Sequence, residues 1–399
     1  MIKASDIINT YTELGGVYRL LKLAETSSID DSKYYLQTVI DISASSNMFY
    51  MYNFACQIAN RLLGSTSSLS LKPSDALEDW ETDNRESVIK QENLVAQAKH
   101  QGIKGSIRES IYELGDLYYS KGNPHEALKT YIRAKDVLTD LEEQCEQALM
   151  MAKASYFHNN FPYTLNQASK AFKSNSAVTR AKAHALAGLC YIKNKDYKYA
   201  FKELSQLNVH IKGELTEFFT STDILNYCVI VGLASSDRDE LQALTINKEF
   251  SLFLDEEVEL KDIIDCYLAC KYTELITKVR FLVESLTCDF NIGDVIQDAL
   301  REIRDKMVAS YIVPFKRIRI DRIAEVFGGN PEEVLIKLIT QNKISGRIDK
   351  HNNVFQSKFV DGKIENVREV LRAGRKVLMA NERLILKISM MRQGLILRS

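Results

Sequence analysis

Residues Ile312–Lys358 read IVPFKRIRIDRIAEVFGGNPEEVLIKLITQNKISGRIDKHNNVFQSK and behave as one compact module. A short strand, Arg317–Ile320, leads into a short helix, Asp321–Val326. Gly328-Gly329 turns the chain, and Asn330 stands where a second helix needs a cap. Pro331 follows at the first helical position, where a missing N–H costs nothing. Glu332 and Glu333 then meet the positive end of the helix dipole. Val334, Leu335, Leu338 and Ile339 share one face of that helix. Two alternating segments, Ile344–Asp349 and Val354–Ser357, close the module as a hairpin around Lys350-His351-Asn352-Asn353. Strand, helix, turn, helix and hairpin make a winged helix.

Outward from this module the chain is helical. It has 399 residues with only 5 Pro and 17 Gly, so its elements are long, and 45% hydrophobic content supports a core. No apolar run reaches the ~20 residues of a membrane span. The opening MIKASDIINTYTEL lacks the apolar centre of a signal peptide. Seven scattered Cys without a CxxC fit a reducing compartment. The net charge of −1 is unevenly divided: Lys306–Ser399 holds 19 Lys and Arg against 9 Asp and Glu, a net of +10, which leaves −11 on the first 305 residues. A basic end of this kind meets an acidic partner, protein or nucleic acid.

Residues 1–63 carry helical spacing at Tyr11, Leu14, Val17, Tyr18 and Leu21, and again at Tyr35, Val39 and Ile42. The Ser-rich stretch Gly64–Ser70 breaks the pattern, and a polar connector helix with the single Trp80 runs from about Ser74 to Gln101 within a 64–106 segment. From Ile107 the chain repeats. IRESIYELGDLYYSKGNPHEALKTYIRAKDVL fits the tetratricopeptide pattern, with Gly115 and Ala127, Tyr131 and Ala134 where two helices cross closely. A second copy places Gly188, Tyr191, Ala200 and Leu204 at equivalent offsets, and a degenerate one with Tyr156, Asn159-Asn160 and Leu165 lies between. An α-solenoid is the reading for 107–194; an ordinary helical bundle is the alternative. Helices continue over 195–307, with Asp223, Asp237 and Asp294 as candidate caps, and run without a linker into the winged helix of 308–360, so the two are expected to form one rigid body.

The last segment, 361–399, reads as one helix from Asp361 to about Ile396. Ile364, Leu371, Leu378 and Ile385 repeat every seven residues; Val370, Val377, Leu384 and Met391 do so one position earlier, and Val367, Ile388 and Leu395 add a third row. A helix apolar on several sides is enclosed by several partners. Packing back onto its own winged helix is the alternative.

Candidates for chemistry are few. His100, His125, His158, His184, His210 and His351 form no HxH or HExxH arrangement. His184 reads as core packing and His351 as solvated wing turn. Cys266 and Cys270 lie one helical turn apart, but without further ligands nearby they read as buried core. Lys104-Gly105-Ser106 lacks the first Gly and the preceding strand of a phosphate loop. The expectation is no catalytic site, no cofactor and no metal. A DNA-reading role for the winged helix, with Lys316, Arg317, Arg319 and Arg322 beside it, is opposed by the carboxylates that open its second helix. The open edge of the small sheet favours protein pairing.

Helical repeats, winged helix and long terminal helix in this order resemble the PCI-domain family of the proteasome lid, the COP-nine signalosome and translation initiation factor three. SIRESIYELGDLYYSKGNPHEALKTYIRAKD, then LASSDRDELQ, FSLFL and LKDIIDCYLACKY, then ISGRIDKHNNVF and the tail Arg375–Arg398 are similar, in that order, to the signalosome and lid branch. The likeness runs from about Tyr11 to the end, without the family's long N-terminal extension. It implies a mainly α fold, a tetratricopeptide-like α-solenoid followed by a PCI domain over 195–360 and a bundle helix. It implies a non-catalytic scaffold, present in nucleus and cytoplasm, whose partners are other signalosome PCI subunits and the catalytic subunit pair. The assembled complex removes a ubiquitin-like modifier from cullins of cullin-RING ligases, with metal-dependent catalysis on another subunit. Ile344, Ser345, Gly346, Arg347, Ile348, Val354, Phe355 and Gln356 would offer the sheet edge, and Leu378, Ile385, Ile388 and Met391 would enter a shared bundle. The proteasome lid and a free nucleic-acid-binding winged helix remain the alternatives.

Overall fold

The computed structural model describes residues 4–64, 69–138, 140–207, 216–247, 250–251, 254, 257–358 and 362–394. Among these residues are nineteen α-helices and one three-stranded sheet, the mainly α architecture that the periodicity requires. His210, the centre of the Ser-rich break, Leu252, Phe253, Asp361, Leu395 and Ile396 lie outside the described residues. The chain divides into two compact units, Met1–Lys306 and Met307–Ser399, described here in turn.

In the first unit α1 (Ala4–Thr10), α2 (Glu13–Thr26), α3 (Ile29–Ser45) and α4 (Phe49–Leu63) precede the connector α5 (Ser74–Gln101). Trp80 pins α5 to α4: its indole N–H donates to Asn47, and its ring meets Phe49 and Tyr52 edge-on at 5.2 and 5.5 Å. The repeats follow as α6 (Lys104–Ser120) with α7 (Pro124–Arg133), α8 (Leu141–Phe157) with α9 (Phe161–Ala171), and α10 (Ala177–Lys193) with α11 (Tyr197–Leu204). The small residues do what the spacing requires. A Cβ on Gly115 would stand 2.3 Å from the Tyr131 ring, and one on Gly188 would stand 2.7 Å from Leu204.

Each helix pair turns through the same joint. Gly122, Asn159 and Lys195 sit at φ 82°, 59° and 65°, and the next residue's N–H returns to the carbonyl five positions earlier, Tyr118, Ser155 and Tyr191. This left-handed closure satisfies carbonyls that a helix end leaves open. The joint recurs at Cys270, φ 60°, between α14 (Val258–Leu268) and α15 (Tyr272–Leu286), so the helix-pair plan continues past α12 (Ser221–Ser235) and α13 (Arg238–Ile246). Cys266 is buried as expected; Cys270 is exposed because the turn needs it there, and Arg238 donates to its sulfur at 2.8 Å.

The N-terminal helices fold back onto the middle of the chain. Arg19 on α2 is buried with Asp289, donates to the Phe218 carbonyl at 2.8 Å and lies 3.5 Å from Asp223. Its guanidinium stacks 3.9 Å over the Tyr11 ring, and Tyr11 donates to Asp223 at 2.6 Å. Tyr227 donates to Asp289, and Asn291 links the Phe218 carbonyl to the Tyr156 hydroxyl at 2.6 and 2.9 Å. Gly15 is obligatory in this closure, since its Cβ would lie 2.0 Å from the Glu217 carbonyl oxygen. Asp223 is therefore a network residue. Thr220 caps α12, with Asp223 as the reciprocal member of a capping box, whereas Asp237 does cap α13. Asp294 takes Lys22 at 2.5 Å and Lys193 at 3.0 Å.

Lys306, on α16 (Ile296–Ile312), donates to the Leu233 carbonyl at 3.1 Å and to the Ser236 carbonyl, closing the end of α12. Burial pushes its pKa down to about 8 from 10.5. Between those values the unfolded chain binds more protons than the folded one, so this lysine makes stability rise with pH from about 8 to 10.5. Urea unfolding across that window measures the slope, and Lys306→Met removes this contribution to it.

The second unit begins at Met307, within α16, and is the winged helix: β1 (Arg317–Arg319), α17 (Ile320–Phe327), α18 (Pro331–Thr340), β2 (Gly346–Asp349) and β3 (Val354–Ser357), followed by α19 (Gly362–Arg392). Its core gathers Ile312, Ile318, Ile323, Phe327, Leu335, Leu338 and Phe355, all buried. Val334 and Ile339 flank the buried face of α18 as half-buried residues, in line with the expected stripe.

Candidate assembly interface

Hydrogen-bond capacity at the sheet edges and apolar surface on α19 define the candidate site. The strand order is β1-β3-β2, both pairs antiparallel. The register aligns Ile318, Phe355 and Ile348 in a row toward the helices, and Arg317, Gln356 and Arg347 in a row on the outer face. Gly346 lies beneath the Phe355 ring, where a Cβ would come within 2.3 Å of it.

This order corrects part of the expected edge. Val354, Phe355 and Gln356 form the central strand, paired on both sides, and Phe355 is 0% exposed; none of the three offers an open edge. The hairpin pairing alone does not reveal that β1 returns to the far side of β3. The free edge of the hairpin is β2. Lys358 N–H donates to the Ser345 carbonyl at 2.9 Å. Antiparallel pairs alternate, so Ser345, Arg347 and Asp349 direct their backbone groups at β3, while Gly346 and Ile348 turn theirs outward. Ile344 precedes the strand as a half-buried turn residue.

The turn is built by Asp349, whose carboxylate accepts the N–H groups of His351 and Asn352 at 3.1 and 3.3 Å and the Asn352 side chain at 2.8 Å. These bonds hold its pKa below the ordinary carboxylate range. Asn353, at φ 53°, completes the reversal and donates to Asp321 at 2.6 Å. Asn330 precedes α18 as expected, yet its side chain donates to Glu333 at 2.9 Å and makes no cap bond. Glu332 pairs with Lys350 across the wing at 3.1 Å. Carboxylates thus occupy the helix end that a groove-reading winged helix directs at DNA.

On α19 the expected apolar residues lie in the open. Leu378, Ile385 and Ile388 are 62%, 67% and 49% exposed, with Val370, Leu371, Val377 and Leu384 exposed beside them; Met391 is half-buried. Exposure of every side chain from Asn366 to Ser389 excludes packing of that stretch against its own winged helix. A contiguous apolar surface of this extent marks a contact with another molecule.

The groups inspected for chemistry have structural surroundings. His184 is half-buried, stacked on Phe172 at 4.1 Å and paired through Nδ1 with Glu203 at 2.5 Å; His351 is exposed. Lys104-Gly105-Ser106 opens α6 directly after the Gly102 turn that ends α5. Among the described residues no three His, Cys, Asp or Glu side chains are grouped to hold a metal, and no helix is long and apolar enough to cross a membrane.

Comparison with known proteins agrees with this layout. Residues 74–244 match the family model of the 26S proteasome subunit RPN7, and residues 273–359 match the PCI domain. The chain is similar to COP9 signalosome complex subunit 1 of Arabidopsis thaliana, 27% identical over 293 residues, covering 72% of this chain and 66% of the relative. It is 28% identical over 335 residues to subunit 1b of Drosophila melanogaster, covering 80% and 64%. A shorter match, 32% over 104 residues, covers 25% of this chain and 23% of Drosophila melanogaster COP9 signalosome complex subunit 2. The chain spans just under two thirds of the length of the first two relatives.

Proposed function

We propose that this chain, a PCI-domain protein similar along most of its length to COP9 signalosome complex subunit 1, is a non-catalytic scaffold subunit of such a complex, divided between nucleus and cytoplasm. The observation that carries the reading is α19, which leaves Leu378, Ile385 and Ile388 in water on a chain with an ample core elsewhere. A free monomer gains nothing from that surface, whereas a bundle of terminal helices from several subunits buries it. The edge of β2 supplies a second contact, pairing Gly346 and Ile348 with a strand of a neighbouring PCI subunit. The complex's removal of a ubiquitin-like modifier from cullins would then be performed by the catalytic pair, with this chain holding its neighbours in register.

The edge contact has a specific test. Ile348→Pro removes an outward N–H while sparing the bonds to β3, a position a strand tolerates. Co-purification of neighbouring subunits is expected to fall severalfold with Ile348→Pro and to persist with Ile348→Val. Equal recovery from both variants would exclude edge pairing through β2. A proteasome-lid subunit is the second reading, favoured by the match of residues 74–244 to a proteasome family model. The identity of the co-purifying subunits separates the two.

A further inference from the structure

In the first unit, α8 and α9 turn facing stripes toward a groove of about 700 Å³, closed on its third side by the end of α7. Its floor is mostly apolar: Cys145 and Ala148 are buried and Met151 continues the same face of α8, with the buried Gln147 donating to the Tyr131 carbonyl at 2.6 Å and the buried Gln167 beside them. Its lips are apolar too, since Ile132 and Leu141 are 43% and 55% exposed. Lys135, Lys170 and Lys173 surround it, and no carboxylate lines it. The acids at the start of α8 are engaged elsewhere: Glu142 accepts from Ser174 and the Asn175 N–H, and Glu143 pairs with Arg108. All three lysines are exposed. The first 305 residues carry a net charge of −11, so a groove lined by three lysines and no acid inverts its surroundings.

We propose that this groove docks an acidic segment of a partner protein, with apolar side chains seated between Ile132 and Leu141 and carboxylates on the three lysines. Apolar anchors supply affinity, and charge complementarity supplies orientation and rate. The side-chain amides of Gln144 and Asn166, also on the lining, suit the backbone of an extended or helical segment. The proposal does not depend on the surfaces of β2 and α19.

The test titrates the full chain with fluorescein-labelled peptides and reads anisotropy. One peptide is rich in Glu and Leu, a second replaces Glu by Lys, a third replaces Leu by Ser, and a single-stranded oligonucleotide is the fourth probe. The Glu-Leu peptide is expected to bind best, to weaken as salt rises, and to lose about tenfold or more in affinity, 1.4 kcal/mol, in the K135E/K170E/K173E variant. Leu141→Ser is expected to weaken it as well, and circular dichroism is expected to be unchanged because the four side chains are exposed. Equal binding of the Glu-Leu and Lys-Leu peptides, an unaltered affinity in the lysine variant, or oligonucleotide binding that needs the lysines but not Leu141 would each overturn the proposal.

Discussion

Arg19→Met is expected to destabilise the chain by about 3–5 kcal/mol, the cost of breaking a buried ion pair from one side. The substitution keeps volume and removes charge, which leaves Asp289 and Asp223 facing each other in a buried site. Burial works against the guanidinium, yet Asp289, Tyr227 and Asp223 outweigh that and hold its pKa above the ordinary value. At Asp223 the balance is reversed, because burial outweighs the arginine 3.5 Å distant and raises the carboxyl's pKa. The arginine thus closes the network that ties α2 to the segment around Phe218 and to Asp289. Chemical denaturation of the variant measures the loss. A cost under about 1 kcal/mol, the range of a surface pair, would mean that the N-terminal helices are held by their apolar contacts alone.

The second large effect concerns assembly and leaves the fold intact. Leu378→Asp with Ile385→Asp is expected to abolish incorporation into a multi-subunit complex, while the stability of the isolated chain changes by no more than about 0.5 kcal/mol. Each side chain is mostly in water in the single chain, so a charge there costs little. In a helical bundle each would lose a burial worth about 1.5–3 kcal/mol and bury a charge as well. Truncation after Val360 is expected to have the same outcome. Size-exclusion chromatography of the variant with its partners, beside denaturation of the variant alone, separates the two effects. Normal incorporation of the truncated chain would remove the bundle from the account.

Local rules are readable along this chain, and long-range pairings are not. Gly115 with Tyr131 and Gly188 with Leu204 are legible because the close crossing of paired helices repeats at a fixed spacing. Pro331, Glu332 and Glu333 announce α18 by helix-end chemistry that acts within one turn. The heptad rows of α19 reveal its apolar faces, and the structure leaves them open from Val367 to Ile388. Arg19 and Asp289 stand 270 residues apart, and nothing local to either marks the other. The same holds for the strand order: β2 and β3 are joined by a short turn, but β1 reaches β3 across both helices, which is why Val354–Gln356 reads as an edge and proves central. Cys270 misleads for a third reason. Its left-handed φ is imposed by the joint between α14 and α15, at a position other pairs give to Gly122, Asn159 and Lys195.

Affinity purification of the tagged full chain, with mass spectrometry of what it retains, tests the scaffold reading most directly. The account predicts the PCI-domain subunits of a signalosome together with its metal-dependent catalytic subunit, retained at physiological salt and lost when residues after Val360 are removed. Recovery of proteasome-lid subunits in their place, or of a lone chain whose affinity for nucleic acid falls steeply with salt, would contradict it.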